Sequence, residues 1–205
     1  MQQKNHSLTC GPVEAAYLAQ RDPELGKAIE RIGPVRREMS PNIFSSLINS
    51  IAGQQISGKA LETIWGRMLK LLGEPTPQAV CAHTAEELQR CGISHRKAGY
   101  ILNAAQAVVS GQLDLDRIDE MEDGEACRYL SSLHGVGIWT AEMLLIFSLG
   151  RPDVLSFHDL GIRKGIMLLH GLDSLDKKAF QTYRERYSPY GTVASLYLWE
   201  IASGR

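Results

Sequence analysis

Two glycines separated by one residue occur in the segment Leu133-His134-Gly135-Val136-Gly137. This spacing is typical of a sharp backbone turn that a ligand can approach closely. Glycine adopts backbone conformations that other residues avoid, and it leaves no side chain in the way of a ligand. The sequence predicts a helix directly after Gly137, whose N–H groups and positive dipole end would face the turn. This arrangement predicts an anion site suited to a phosphate, to which Thr140 can add a hydroxyl. An ordinary tight turn between two helices is the alternative.

Asp159 is a second candidate, because it opens a predicted helix that runs through Leu169. Carboxylates are favoured at the N-cap, where they accept the first N–H groups of a helix. Arg163 lies one turn further along the same face, at a spacing that allows an ion pair with Asp159. The neighbouring His158 is expected at the surface.

The rest of the chain predicts one helix after another, so the expected fold class is all-α. Ser40-Pro41, Ser57 and Ser94 are helix-start signals, and Thr84 with Glu87 predicts a capping box. Later helices are predicted at about 124–133, 139–149, 159–169, 176–187 and 190–202. No two alternating runs are long enough to pair as a β-sheet. We expect one domain over residues 1–205, with a central helical lobe at roughly 41–145 and a second lobe formed by the N- and C-terminal segments.

The bulk composition is that of an ordinary globular protein, with 44% hydrophobic and 22% charged residues among 205. No apolar run approaches the roughly 18 residues of a membrane span, and Met1–Cys10 lacks the apolar core of a secretory signal. We therefore expect a cytoplasmic protein, associated with the nucleoid if it is prokaryotic, that has no membrane partner. The net charge of −1 neither favours nor excludes a nucleic-acid partner, because residues 111–150 carry −6 and the others sum to +5. The four cysteines form no short pair, which argues against a zinc or redox site.

Four segments occur in the order and with the residues of a known family. They are Ile51–Ser57, Gly92–Tyr100, the hairpin Leu133–Ala141 and the loop Gly150–Asp159. With them, residues 41–205 resemble the helix–hairpin–helix–Gly/Pro–Asp superfamily of DNA glycosylases, and most closely the DNA-3-methyladenine glycosylase II group. The resemblance implies two helical lobes around a DNA-binding cleft. It also implies a monomer whose partner is double-stranded DNA with damaged bases.

The resemblance places the catalytic carboxylate at Asp159. An ionised carboxylate beside C1′ would stabilise the positive charge that develops on the sugar as the N-glycosidic bond breaks, and it can orient the attacking water. An alkylated purine is cationic and already a good leaving group, so a single carboxylate suffices. This role is compatible with capping the helix.

Trp139 stands where strand-cleaving relatives carry a lysine that forms a Schiff base with the sugar. Tryptophan has no amine, so the resemblance implies base removal by water alone, which leaves an abasic site. Trp139 can instead line the base pocket, where its electron-rich face favours a cationic purine. Tyr190 and Met143 match other pocket positions of the family. A core aromatic is the alternative for Trp139.

A damaged base must leave the stack before it can be cleaved, and a protein side chain must fill the gap. The turn Gln54-Gln55 matches the segment that does so, with Gln55 at the inserted position. A solvated polar turn is the alternative. The resemblance further implies Na⁺ or K⁺ at the hairpin, bound by the backbone carbonyls of Ser131, Leu133 and Val136. No other cofactor is expected. The last cysteine is Cys127, so the C-terminal cysteines of the iron–sulfur branch are missing and no cluster is expected.

The favoured function is a monofunctional glycosylase for alkylated purines, chiefly 3-methyladenine, with 7-methylguanine and ethenoadenine as further substrates. Two alternatives stay open. One is a glycosylase for an oxidised or mismatched base, and the other is a non-catalytic helix–hairpin–helix module that binds DNA.

Overall fold

The computed structural model describes residues 7–40 and 42–205, and their secondary structure is mainly helical, which confirms the all-α prediction. Twelve α-helices are found among these residues, together with a 3₁₀ helix at Asp116–Glu120. The α-helices are α1 Pro12–Arg21, α2 Pro23–Ile32, α3 Ile43–Gly53, α4 Gly58–Leu72, α5 Pro77–Cys81, α6 Ala85–Arg90, α7 His95–Val109, α8 Asp123–Ser131, α9 Ile138–Phe147, α10 Leu160–His170, α11 Lys177–Tyr187 and α12 Gly191–Ala202. None of these helices is long and apolar enough to cross a membrane.

A small antiparallel sheet corrects the prediction that no strands pair. Strand β1, Ser7–Thr9, pairs with β2, Arg36–Glu38, with Leu8 opposite Arg37. Each strand has three residues, so neither carries an alternating pattern that could be read from the sequence. The two strands flank α1 and α2 in the chain, so the sheet closes that helical pair.

Most helix starts follow the sequence signals. Ser57 and Ser94 cap α4 and α7, and Thr84 with Glu87 forms the predicted capping box. The start of α3 is different: its N-cap is Asn42, whose side chain accepts the Ser45 N–H at 2.9 Å. The predicted first helical residue, Pro41, lies outside the described residues.

The chain divides into two compact units, and the boundary falls within α9. The first unit contains residues 42–144, in which α7 packs against α3, α5 and α6. Its core includes fully buried side chains from α3, α4 and α7, among them Leu47, Ile48, Met68 and Ile101. We call this part the hairpin unit, because it contains residues 131–138.

The second unit contains the described residues up to 40 and residues 145–205, and we call it the aspartate unit. Its central helix is α12, which packs against α2, α10 and α11. A Cβ on Gly165 would lie 2.3 Å from the Leu198 carbonyl oxygen, so α10 and α12 approach more closely than any larger residue there would allow. Whether the two units fold as one domain stays a prediction.

Candidate active site and DNA interface

Asp159 is the N-cap of α10 and is nearly buried, with 8% of its surface exposed. Its Oδ1 accepts a hydrogen bond from the Ile162 N–H at 2.8 Å, as a capping carboxylate does. The same oxygen accepts a second hydrogen bond from Trp199 Nε1 at 2.9 Å. Two N–H donors from different helices therefore fix the orientation of this carboxylate.

Trp199, which the sequence analysis did not single out, is itself held by its neighbours. Its ring stacks on Phe147, with centroids 5.7 Å apart and an angle of 23° between the planes. A Cβ on Gly161 would lie 2.8 Å from Trp199 Cδ1 and 3.1 Å from Asp159 Oδ1. Glycine at position 161 is therefore what lets the indole reach the carboxylate. The sequence signal that could have indicated this contact is Gly161 itself, because glycine is unfavourable within a helix and lies here in the first turn of α10.

The loop that leads to Asp159 is pinned to the start of α12. Asp153 accepts hydrogen bonds from Ser188 Oγ at 2.6 Å and from the Gly191 N–H at 3.1 Å. Thr192 Oγ1 accepts the Val154 N–H at 3.0 Å and donates to the Arg151 carbonyl at 2.6 Å. The position of the carboxylate is thus set by a hydrogen-bonded loop and not by α10 alone.

Arg163 and His158 lie beside this site but do different things. The Arg163 guanidinium lies 4.8 Å from the centroid of the Phe157 ring, and no ion pair joins it to Asp159 within the described chain. The aromatic face of Phe157 therefore takes the place of the ion pair that helical spacing allowed. His158 is exposed, as expected.

Tyr190 is the N-cap residue of α12 and is half-buried. Its ring meets Tyr17 edge to face, with centroids 5.2 Å apart. It borders a cavity of about 160 Å³ that Leu196, Pro152 and Arg151 also line. This contact places Tyr190 among aromatic neighbours of its own unit, and its role in base binding stays a prediction.

In the hairpin unit, the two glycines of the turn differ sharply. Gly135 has φ +88°, and a Cβ there would lie 2.3 Å from Tyr100 Cδ2, so both the backbone and the packing require glycine. Gly137 is exposed, and a Cβ there would meet nothing within 4 Å. Its carbonyl accepts the Ala141 N–H at 3.0 Å, so Gly137 directly precedes α9 and accepts its first helical hydrogen bond. The N–H groups at the start of a helix have no carbonyl partners within that helix.

The side chains after the turn differ in exposure. Ile138 and Trp139 are 49% and 42% exposed, whereas Thr140 is 3% exposed and Met143 is half-buried. The role of Trp139 in base binding stays a prediction. The buried hydroxyl of Thr140 gives no support to its predicted phosphate contact.

The turn Gln54-Gln55 connects α3 to α4. Gln55 is exposed and has φ +58°, in the left-handed region that residues other than glycine seldom adopt. Gln54 is half-buried, and its side-chain Nε2 donates to the Gly135 carbonyl at 2.8 Å. The structure therefore separates the two glutamines: Gln55 projects into solvent, and Gln54 is bonded to the hairpin.

The three residues expected to bind a monovalent cation also lie at this hairpin. The Leu133 carbonyl accepts the Val136 N–H at 3.1 Å, which leaves its second lone pair available. Ser131 Oγ is buried and has no hydrogen-bond partner among the residues that the structure describes. A buried oxygen without a hydrogen-bond partner is compatible with a cation here.

The chain matches a family model for the HhH-GPD superfamily of base excision DNA repair proteins over residues 48–189. The chain belongs to this superfamily. The HhH-GPD match covers both the Gln54-Gln55 turn and the hairpin, and it extends past Asp159 to residue 189, just before α12.

Several HhH-GPD proteins are similar along nearly their whole length. DNA-3-methyladenine glycosylase 1 of Schizosaccharomyces pombe is 32% identical over 201 residues, which is 96% of this chain and 88% of the relative. The crystal structure of a DNA-3-methyladenine glycosidase from Bacillus halodurans has a TM-score of 0.86 and is 36% identical, covering 98% of this chain and 94% of that one. A 3-methyladenine DNA glycosylase of S. pombe in complex with abasic DNA has a TM-score of 0.81 and is 31% identical, covering 92% and 95% of the two chains.

Proposed function

We propose that this HhH-GPD protein is a monofunctional DNA glycosylase that removes alkylated purines, chiefly 3-methyladenine, from double-stranded DNA. The observation that carries the proposal is the Asp159 carboxylate, held by N–H groups of Ile162 and Trp199 within a chain of this superfamily. The names of the similar proteins support the substrate class. We further propose that it acts in the compartment that holds the cell's DNA.

Cleavage of the N-glycosidic bond of an alkylated purine requires little from the protein beyond one negative charge in a fixed position. As the bond from C1′ to the purine nitrogen breaks, the electron pair leaves with the base, and a cationic alkylpurine departs as a neutral molecule. The Asp159 carboxylate stabilises the positive charge that remains on the sugar. Water then forms a bond to C1′ and loses a proton, which leaves an abasic site.

Position 139 supports hydrolysis without strand cleavage, because tryptophan has no amine for a Schiff base. The exposed indole presents a π face on which a cationic base can stack. Met143 and Tyr190 are further candidates to shape the base pocket.

The hairpin unit is proposed to bind the DNA backbone. The exposed Gly137 and the N-terminus of α9 would receive a phosphate, and Gln55 would enter the gap left by the flipped base. The carbonyls of Ser131, Leu133 and Val136 would hold Na⁺ or K⁺, whose charge would add to the attraction for the phosphate. These contacts position DNA without reading its sequence.

The proposal is tested with duplexes that each carry one lesion: 3-methyladenine, 7-methylguanine, ethenoadenine or 8-oxoguanine. Alkali treatment reveals abasic sites, and parallel samples without alkali detect strand cleavage by the enzyme. We expect release of the alkylated purines, no cleavage without alkali, and a rate at least about a hundredfold lower for Asp159→Asn. Asparagine can still cap α10, so binding to abasic DNA should persist.

Three results would contradict parts of the proposal. Release that is undiminished in Asp159→Asn would remove the carboxylate from the mechanism. Cleavage without alkali would contradict the monofunctional mechanism. Binding without release of any lesion would leave only a DNA-binding module.

A further inference from the structure

The segment Gly92–Tyr100 matches the family but has no part in the function proposed above. In the structure it begins α7, and three of its polar residues follow one another at intervals of three. Ser94 Oγ accepts the Lys97 N–H at 3.3 Å and caps the helix, and Tyr100 lies one turn beyond Lys97. Residues three apart share a helix face, so Lys97 and Tyr100 point to the same side of α7.

Lys97 lies under the turn between α3 and α4. Its Nζ donates to the Ala52 carbonyl at 2.9 Å and to the Gln54 carbonyl at 2.6 Å. The last carbonyls of a helix have no partners within it, so the ammonium group satisfies acceptors that α3 leaves open. Burial, and then the charge of Arg96, lower the pKa of Lys97, as expected for a cation drawn out of water by these contacts.

The turn needs such support, because its own hydrogen bonds are weak. The Gln54 N–H reaches the Ile51 carbonyl, and the Ile56 N–H reaches the Gly53 carbonyl, both at 3.4 Å. Between them Gln55 keeps a left-handed conformation, with φ +58°. A conformation of this kind persists only where surrounding contacts enforce it.

The same face of α7 also supports the hairpin. The Tyr100 ring lies directly against Gly135, where a Cβ would come within 2.3 Å of it. The Gly135 carbonyl in turn accepts the Gln54 side chain at 2.8 Å. Lys97, Tyr100 and Gln54 thus connect the turn and the hairpin into one network.

We propose that Lys97 is a positioning residue. Through its bonds to the Ala52 and Gln54 carbonyls, it holds Gln55 in the conformation that enters the gap left by the flipped base. The Gln54 side chain, bonded to Gly135, fixes the position of this turn against the hairpin. This inference rests on the proposed function, since it assumes that Gln55 enters DNA. It assigns the positive charge of Lys97 to the protein's own backbone and not to a phosphate.

The test measures insertion without requiring catalysis. A duplex carries a stable tetrahydrofuran abasic analogue with 2-aminopurine beside it, and the fluorescence of 2-aminopurine reports its stacking. The difference between the wild type and Gln55→Ala, each at saturating protein, defines the part of the signal that is due to insertion. We expect Lys97→Met to lose most of that part, and Lys97→Arg, which keeps donors for both carbonyls, to retain much of it.

Arg96→Met is the matched control, because it removes the same charge from the adjacent, exposed position on α7. It should keep the insertion signal, because Arg96 makes neither of the bonds by which Lys97 holds the turn. On a 3-methyladenine duplex, the single-turnover rate of Lys97→Met should fall about tenfold to a hundredfold, as for a misplaced reacting geometry. Adding Lys97→Met to Gln55→Ala should then cost little more, because both changes act on one element.

The outcomes separate the two proposals. If wild type and Gln55→Ala give the same fluorescence, Gln55 does not insert, and both the insertion step and the positioning role are wrong. If wild type inserts and Lys97→Met inserts equally, or if the two changes are additive, only the positioning role is wrong. Should Lys97→Met fail to unfold cooperatively on heating, Gln54→Leu removes the link to Gly135 while Lys97 stays in place, and its full insertion signal would contradict the network.

Discussion

The hairpin unit and the aspartate unit prepare their candidate functional groups in opposite ways. In the hairpin unit the proposed phosphate-binding groups belong to the backbone, at Gly137 and the start of α9, while the side chains of Gln54 and Lys97 bond to backbone carbonyls of the same unit. In the aspartate unit the proposed catalytic group is a side chain, Asp159, and another side chain, Trp199, donates a hydrogen bond to it. A phosphate can be bound by any well-placed N–H groups, whereas charge development at one carbon needs a carboxylate with a fixed orientation.

The largest change in stability that tests this difference between the units is expected from substitution of the two hairpin glycines. Gly135→Ala places a Cβ against Tyr100 at a positive φ, and should reduce the free energy of unfolding by about 2–4 kcal/mol. Gly137→Ala meets no atom of the chain, so its stability should stay within about 0.5 kcal/mol of wild type. Its affinity for duplex DNA should nevertheless fall, because the added methyl would meet the phosphate.

Thermal and urea unfolding, with titration of a fluorescent duplex, would measure both variants. The double variant Gly135→Ala with Tyr100→Ala should recover part of the lost stability, since it removes the clashing ring. If Gly137→Ala binds DNA as well as wild type does, the open space beside Gly137 does not receive a phosphate, and the proposed difference between the two units is wrong.

A smaller effect is expected from Trp199→Phe, which removes the N–H donor to Asp159 and keeps an aromatic ring against Phe147. A hydrogen bond to a charged group contributes about 1.5–3 kcal/mol, so kcat should fall about tenfold to a hundredfold while KM changes little. Steady-state kinetics on a 3-methyladenine duplex would show this split. Trp139→Phe is the matched control, and it should change KM more than kcat if the exposed indole binds the base. A raised KM with unchanged kcat for Trp199→Phe would mean that the indole binds substrate and does not orient the carboxylate.

The smallest effect tests a structural part of the aspartate unit that lies outside its proposed chemistry. Burial alone would raise the pKa of Asp22, but hydrogen bonds from the Tyr187 hydroxyl, the Leu25 N–H and Arg186 outweigh it and hold that pKa below its usual value. Asp22→Asn should therefore reduce the free energy of unfolding at pH 7 by about 1–3 kcal/mol. The rate of base release by the folded variant should not change.

The pH dependence of that difference follows from the direction of the shift. A lowered pKa in the folded state contributes stability above the unfolded value, about 3.9, and this contribution is lost as the pH falls through the folded pKa. Urea unfolding of wild type and Asp22→Asn between pH 7 and pH 3 should show the gap narrowing below about pH 4. A gap that widens as the pH falls below about 4 would contradict the assignment.

The sequence determined the features that depend on neighbouring residues. The caps Ser57, Ser94 and Asp159 and the capping box at Thr84 are local, because a side chain there reaches N–H groups only two or three positions ahead. The position of the hairpin and the helix after it followed from glycine spacing for the same reason. The start of α3 was misplaced because Asn42 competes with the signal at Ser40-Pro41.

Only the tertiary structure decided the contacts between distant parts of the chain. The bond from Trp199 to Asp159 spans 40 residues and that from Gln54 to Gly135 spans 81, so no helical or strand period connects the partners. The β1–β2 pair was invisible for a similar reason, since three-residue strands carry no pattern and form where the ends of α1 and α2 bring them together. Glycine spacing in the sequence located the turn at 135–137. The fold alone showed that Gly135 is required by the Tyr100 ring, while the space beside Gly137 stays open.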